Sequence, residues 1–172
     1  MLQKIYLSYD LEQFIKCDYP ETSTCIKHQV KELKDIHDEF NGFPDSYTLN
    51  NTGINQRWWN RGEIDFDVIG EQLKMDVKTI SSIRQLPGNV IPWHRDTFYQ
   101  IKKNFPEDDR NPVRANIYLE DWKIGHFIQY GDSISTHWQA GDGFIWNSEV
   151  LHLGANAGME PKHTLQVSGF LK

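Results

Sequence analysis

The chain is poor in cysteine: Cys17 and Cys25 are its only two thiols among 172 residues. Their spacing fits no zinc motif, and no second pair exists to complete one. A disulfide-built secreted domain usually carries more. The expectation is therefore free thiols in a reducing compartment, with a single bridge as the alternative. Long hydrophobic runs are also lacking, and no stretch approaches the roughly eighteen apolar residues of a membrane-spanning helix. The opening MLQKIYLSYDLEQF carries Lys4, Asp10 and Glu12 and lacks the apolar stretch and small-residue cleavage site of a signal peptide. A cytoplasmic location, with no membrane partner, follows as the expectation. Lys and Arg are scattered and the formal charge is −6, which gives no electrostatic reason to expect a nucleic-acid partner. Internal repeats, low-complexity tracts and Gly/Ser/Pro-rich linkers are absent.

What is present suits one domain. A hydrophobic content of 38% over this length builds a single core. Six Trp and an aromatic share of 13% supply large rings for that core and for pocket walls. Residues 1–76 read as a helical and irregular support region. Within it, Ile26, Val30, Leu33, Ile36 and Phe40 recur at helical spacing up to the stop Asn41-Gly42-Phe43-Pro44. A weaker helical pattern runs through Phe66, Val68, Ile69 and Leu73, over roughly residues 65–75. From about residue 77 to 172 the pattern changes to short strands separated by turns such as Leu86-Pro87-Gly88-Asn89 and Gly141-Asp142-Gly143. The fold class expected is mainly β with flanking helices (α+β), a sandwich or jelly roll whose helices cover one sheet from outside.

The chemistry concentrates in Trp93-His94-Arg95-Asp96 and in His152. On a strand, residues 94 and 96 point to the same side, about 7 Å apart. One imidazole and one carboxylate there can share a metal, with His152 brought in from a distant segment. Two His and one carboxylate leave three positions open, the arrangement of non-haem iron(II) oxygenases. Ten residues after His152 comes Lys162, opening the strand-like Lys162-His163-Thr164-Leu165-Gln166-Val167-Ser168. Its alternation puts Lys162, Thr164, Gln166 and Ser168 on one face. Burying such a face without partners costs several kcal/mol, so it either faces solvent or holds a polar ligand such as a carboxylate.

On these residues the chain resembles the 2-oxoglutarate/iron(II) oxygenase superfamily, with its double-stranded β-helix (jelly-roll) fold and H-x-D/E…H ligand set. The phrases PGNVIPWHRDT, RANIYLEDW, WQAGDGFIW and HLGANAG are similar to small phage and bacterial oxygenases related to aspartyl/asparaginyl β-hydroxylases. The lysine at 162 resembles the choice made by prolyl 4-hydroxylases. The likeness spans roughly residues 78–170. It implies an Fe(II) cofactor on His94, Asp96 and His152, and 2-oxoglutarate as co-substrate with its distal carboxylate on Lys162 beside Thr164. Dioxygen would be consumed, an amino-acid or peptidyl substrate hydroxylated, and succinate and carbon dioxide released.

Further residues are placed by strand parity. Arg114, Asn116 and Tyr118 share one face of a predicted strand and can meet co-substrate or substrate, as can Gln129, with an exposed polar face as the alternative; Tyr118 and Gln129 are assigned to the co-substrate, Arg114 and Asn116 to the substrate. Trp58, within Arg57-Trp58-Trp59-Asn60-Arg61, and Trp146 are further substrate candidates, each with core packing as the alternative. The segment at Trp58 and the polar loop 104–112 are candidate lids. Asn156 and Gly158 are read as the turn between His152 and Lys162, and His126, His137 and His163 as structural or surface histidines. Two other readings stand beside the hydroxylase. One is a cupin-like metal enzyme without 2-oxoglutarate. The other is a non-catalytic jelly-roll module, in which His94, Asp96 and His152 do not meet. Oligomeric state is left open.

Overall fold

The computed structural model describes residues 1–24 and 26–172, and for residues 27–29 the backbone alone. Cys25 lies outside the described residues; Cys17 is a free thiol. In chain order the first elements are β1 (Leu2–Tyr6), α1 (Glu12–Ile15), β2 (Glu21–Thr24), α2 (Ile26–Glu32), α3 (Lys34–Asp38), α4 (Leu49–Thr52), β3 (Gly53–Trp59) and α5 (Phe66–Leu73). They are followed by β4 (Met75–Gln85), β5 (Val90–His94), α6 (Tyr99–Asn104), β6 (Pro112–Tyr118), β7 (His126–Tyr130), β8 (Ser133–Ser135), β9 (Asp142–Asn147), β10 (His152–Asn156) and β11 (Lys162–Leu171).

Two antiparallel sheets result. One runs β1-β9-β6-β11-β4-β3-β2 and the other β5-β10-β7-β8. From β4 onward the chain alternates between them, with one pause at the β7–β8 hairpin. That alternation is the double-stranded β-helix, or jelly roll. Period-two patterning explains which face each strand buries. Leu165 and Val167 on β11, Val113, Ala115 and Ile117 on β6, and Ile145 on β9 form the outer face of the large sheet. Phe14 of α1 and Phe66, Ile69 and Leu73 of α5 cover that face. Helix α5 starts where Asp65 accepts bonds from the Asp67 and Val68 amides. The opposite face of the sheet looks across at the small sheet and lines the interior.

Several differences from the sequence expectation have local causes. Residues 1–76 hold three strands, β1 to β3, besides their helices; they extend both edges of the large sheet. The amphipathic stretch at 26–40 is two helices, because Leu33 leaves helical geometry at φ −119°, ψ 29°. Leu33 and Ile36 are buried while Val30 and Phe40 stay exposed, and His37 takes an inner position instead. His152 to Asn156 form a strand, so the turn to Lys162 starts one residue later than expected. Near the end of β11 the register with β4 shifts between Ser168 and Gly169. A side chain at Gly169 would put its Cβ 2.1 Å from the Asp76 carbonyl oxygen, so the bulge requires glycine.

Candidate metal centre and its cavity

The triad is assembled by the small sheet. β5 and β10 are neighbours, and their register sets His94 opposite His152. The imidazoles lie 4.2 Å apart, centroid to centroid. Asp96 sits two residues beyond the end of β5, where the chain has turned to bring its carboxylate alongside. The ligand atoms of the three residues all lie within 4.8 Å of one another, and the group can hold a metal ion.

Both rings are oriented for that task. His94 Nδ1 meets the Pro92 carbonyl at 2.7 Å, and His152 Nδ1 meets the Val150 carbonyl at 2.9 Å. A carbonyl only accepts, so each Nδ1 carries the proton and each Nε2 keeps a free lone pair. Burial, with the neighbouring His152, holds the His94 pKa down at about 3, and burial also lowers that of His152. Both imidazoles are thus neutral near pH 7, as metal ligation requires. For Asp96, burial pushes the pKa up, but Arg114, His152 and His94 outweigh it and the net shift is downward. Its carboxylate is ionised. Two neutral nitrogens and one carboxylate oxygen fit a divalent ion such as iron(II).

The triad opens onto a cavity of about 350 Å³ between the sheets. Lys162, Thr164, Gln166 and Ser168 of β11 line it, as do Arg114 and Asn116 of β6 and Trp146 of β9. Ile83, Ile91, Ile128 and Leu153 provide apolar wall, as do Phe98 and Ile101, which pack in a cluster with Phe170. Trp58 and Tyr99, both about half exposed, stand at the mouth.

Lys162 is the unusual member. It is only 4% exposed. Its Nζ donates to the carbonyls of Ala155 at 3.0 Å and Phe127 at 3.2 Å. Among the described residues no carboxylate forms an ion pair with it. Burial alone lowers its pKa to about 7. An ammonium has three donors, and two are spent on carbonyls. The third is left for an acceptor in the cavity. Gly154 makes room there: a Cβ at this position would lie 3.6 Å from Nζ.

Two residues assigned to the co-substrate from sequence do not line the cavity. Tyr118 shares the inward face with Arg114 and Asn116 but lies further along β6, stacked on Trp138 at 3.9 Å with its hydroxyl bonded to Ser135. Gln129 has the wrong parity. His126, Ile128 and Tyr130 are the buried residues of β7, and the Gln129 amide bonds the Gly131 carbonyl. Trp146 is both core and cavity wall, and its indole Nε1 reaches Asp96 Oδ2 at 2.8 Å. Arg114 points at Asp96. Trp59, beside Trp58, faces the opposite side of β3 and packs edge-on against Phe14. His126, His137 and His163 are engaged with Glu160, Trp122 and Glu120 respectively. Sequence reasoning missed Gln85, which pairs with Lys162 in register. Its amide nitrogen is tied to the Asn89 and Gly154 carbonyls, and its buried Oε1 has no partner. Only the strand pairing reveals that neighbour.

No protein-family model matches the sequence, and no curated protein matches it. Among solved structures the chain is similar to a prolyl-4-hydroxylase of Pseudomonas putida. Identity is 17%, with 94% of this chain and 97% of that one covered and a TM-score of 0.51. It is also similar to the viral collagen prolyl hydroxylase of Paramecium bursaria Chlorella virus-1, solved as a 2OG complex. There identity is 16%, coverage 90% and 97%, and the TM-score 0.52. Likeness at this level speaks to architecture: the chain has the double-stranded β-helix fold over nearly its whole length.

Proposed function

We propose that this protein is a 2-oxoglutarate- and iron(II)-dependent oxygenase that hydroxylates an amino-acid or peptidyl substrate. The observation that carries the reading is Lys162, a buried ammonium that pairs with no carboxylate among the described residues, in the same cavity as the His94, Asp96 and His152 group. A lysine so placed is costly unless a ligand supplies the missing charge. A dicarboxylate that reaches from the triad to Lys162 does so. The similar folds of two prolyl hydroxylases, one solved with 2OG, support the same reading.

His94 and His152 present Nε2 lone pairs, and Asp96 adds one negative charge. Lys162 holds the distal carboxylate of the co-substrate through its third N–H, with the Thr164 hydroxyl on the same face. Ile83, Ile91, Ile128 and Leu153 keep water from the reacting end. Trp58 and Tyr99 frame the entrance for substrate. When bound, iron(II) with 2-oxoglutarate supplies the oxidising chemistry. No side chain of the cavity is needed as a general base. A cupin-like metal enzyme without 2-oxoglutarate has no use for Lys162.

The test is succinate release. Protein with iron(II), 2-oxoglutarate and oxygen is offered amino acids and short peptides, and products are examined by mass spectrometry for one added oxygen. Succinate that forms only with iron(II), and rises with a substrate that gains oxygen, supports the reading. Turnover that is indifferent to 2-oxoglutarate refutes it.

A further inference from the structure

The triad leaves one strong contact unexplained, on Asp96 Oδ1, while His152 Nε2 lies 3.8 Å from Oδ2. Arg114 Nη1 donates to Asp96 Oδ1 at 2.6 Å, while Trp146 Nε1 donates to Oδ2 at 2.8 Å. The two donors come from one rung of the large sheet, because Arg114 on β6 pairs with Trp146 on β9. Arg114 is itself held in place. Its Nε donates to Ser168 Oγ on β11 at 3.2 Å, and its guanidinium lies 5.5 Å over the Phe98 ring. Asp96 lies outside any strand, so its carboxylate takes its direction from these side chains.

We propose that Arg114 is a positioning residue which, with Trp146, restricts Asp96 to coordinating a metal through one oxygen and thereby keeps a coordination position open. The inference rests on reading His94, Asp96 and His152 as a metal site. A carboxylate that gripped an ion with both oxygens would have to turn Oδ1 away from the guanidinium and give up a charge-assisted bond. The sheet holds the guanidinium still, so the carboxylate keeps its orientation. The count of positions gives this consequence. Two imidazoles and one oxygen leave three of six sites free. A second oxygen from Asp96 would leave two, too few for a chelating co-substrate and dioxygen together. Arg114 thus acts on the reaction through Asp96, and its place is behind the ligand, not in front of the substrate.

The probe is Co(II), titrated into metal-free wild type, Arg114→Ala, Arg114→Gln and Arg114→Lys, with visible absorption reporting affinity and coordination number. Wild type is expected to bind with a well-defined spectrum. Arg114→Ala is expected to bind about 10–100-fold more weakly, the usual effect of removing an outer partner of a ligand, with a changed band shape. Arg114→Lys, which keeps a charged donor, recovers part of the affinity and more of it than Arg114→Gln. Equal affinity and identical spectra in wild type and Arg114→Ala overturn the proposal, and a raised KM for substrate alone would then move Arg114 to substrate binding. Should Arg114→Ala fail to fold by circular dichroism, the Lys and Gln variants decide by the same criteria. Wild type that takes up no Co(II) refutes the metal reading itself, an outcome distinct from a metal site that ignores Arg114.

Discussion

Replacing Lys162 by Met should raise stability near neutral pH and weaken co-substrate binding at once. The lysine's pKa falls from its ordinary 10.5 to about 7 through burial. Between those values the unfolded chain holds a proton that the native state lacks, so native stability rises with pH across that window. Below pH 7 the buried charge costs the fold its full penalty, and above about 10.5 the penalty is gone. At pH 7 it amounts to about 4 kcal/mol by linkage. Met is similar in volume and uncharged, but it forfeits two hydrogen bonds to carbonyls, at about 1 kcal/mol each. The net expectation is a gain of roughly 2 kcal/mol at pH 7 that vanishes near pH 9 and becomes a loss of about 0.5 kcal/mol by pH 9.5. Urea denaturation of both proteins at pH 6.5, 8 and 9.5, without co-substrate, measures it. Calorimetry of the metal-loaded proteins should show the opposite trend, with 2-oxoglutarate weakened by about 2–5 kcal/mol. A variant that loses stability at every pH and binds 2-oxoglutarate as well as wild type would refute the account of Lys162.

Gly154→Ala adds a methyl that meets nothing nearer than 3.6 Å, and the nearest atom is Lys162 Nζ. Folding stability should change by less than about 1 kcal/mol, while co-substrate affinity drops by roughly 1–3 kcal/mol from crowding; thermal melting and calorimetry separate the two effects. Trp58→Ala should leave 2-oxoglutarate affinity unchanged and lower kcat/KM for the true substrate about tenfold, since the ring stands at the mouth and not beside Lys162. Asp65→Ala should cost about 1 kcal/mol of stability without touching activity, because it removes the cap of α5.

The parts of this molecule that follow a period of two were legible from residue order. The inward set Lys162, Thr164, Gln166 and Ser168 lines the cavity, and Leu165 and Val167 pack outward, as alternation requires. Parity alone does not say how far along a strand the cavity extends: Tyr118 has the inward parity of Arg114 and Asn116 and lies beyond it. Nor did the edge strands announce themselves. β1 is largely exposed and β2 is polar, so neither carries the apolar pattern that marks a central strand. No glycine or proline signals the break between α2 and α3. Partners made by long-range pairing, such as Arg114 with Asp96 or Gln85 with Lys162, depend on register between distant segments, which local sequence does not encode.

The central claim is that the two imidazoles and Asp96 form an iron(II) site that 2-oxoglutarate completes. Anaerobic addition of iron(II) and then 2-oxoglutarate to wild type and to His152→Ala tests it by visible absorption. A charge-transfer band should appear in wild type only when both additions are present, and should be missing from His152→Ala. A wild-type protein that retains no iron, or a band that survives loss of the His152 ring, would contradict the account.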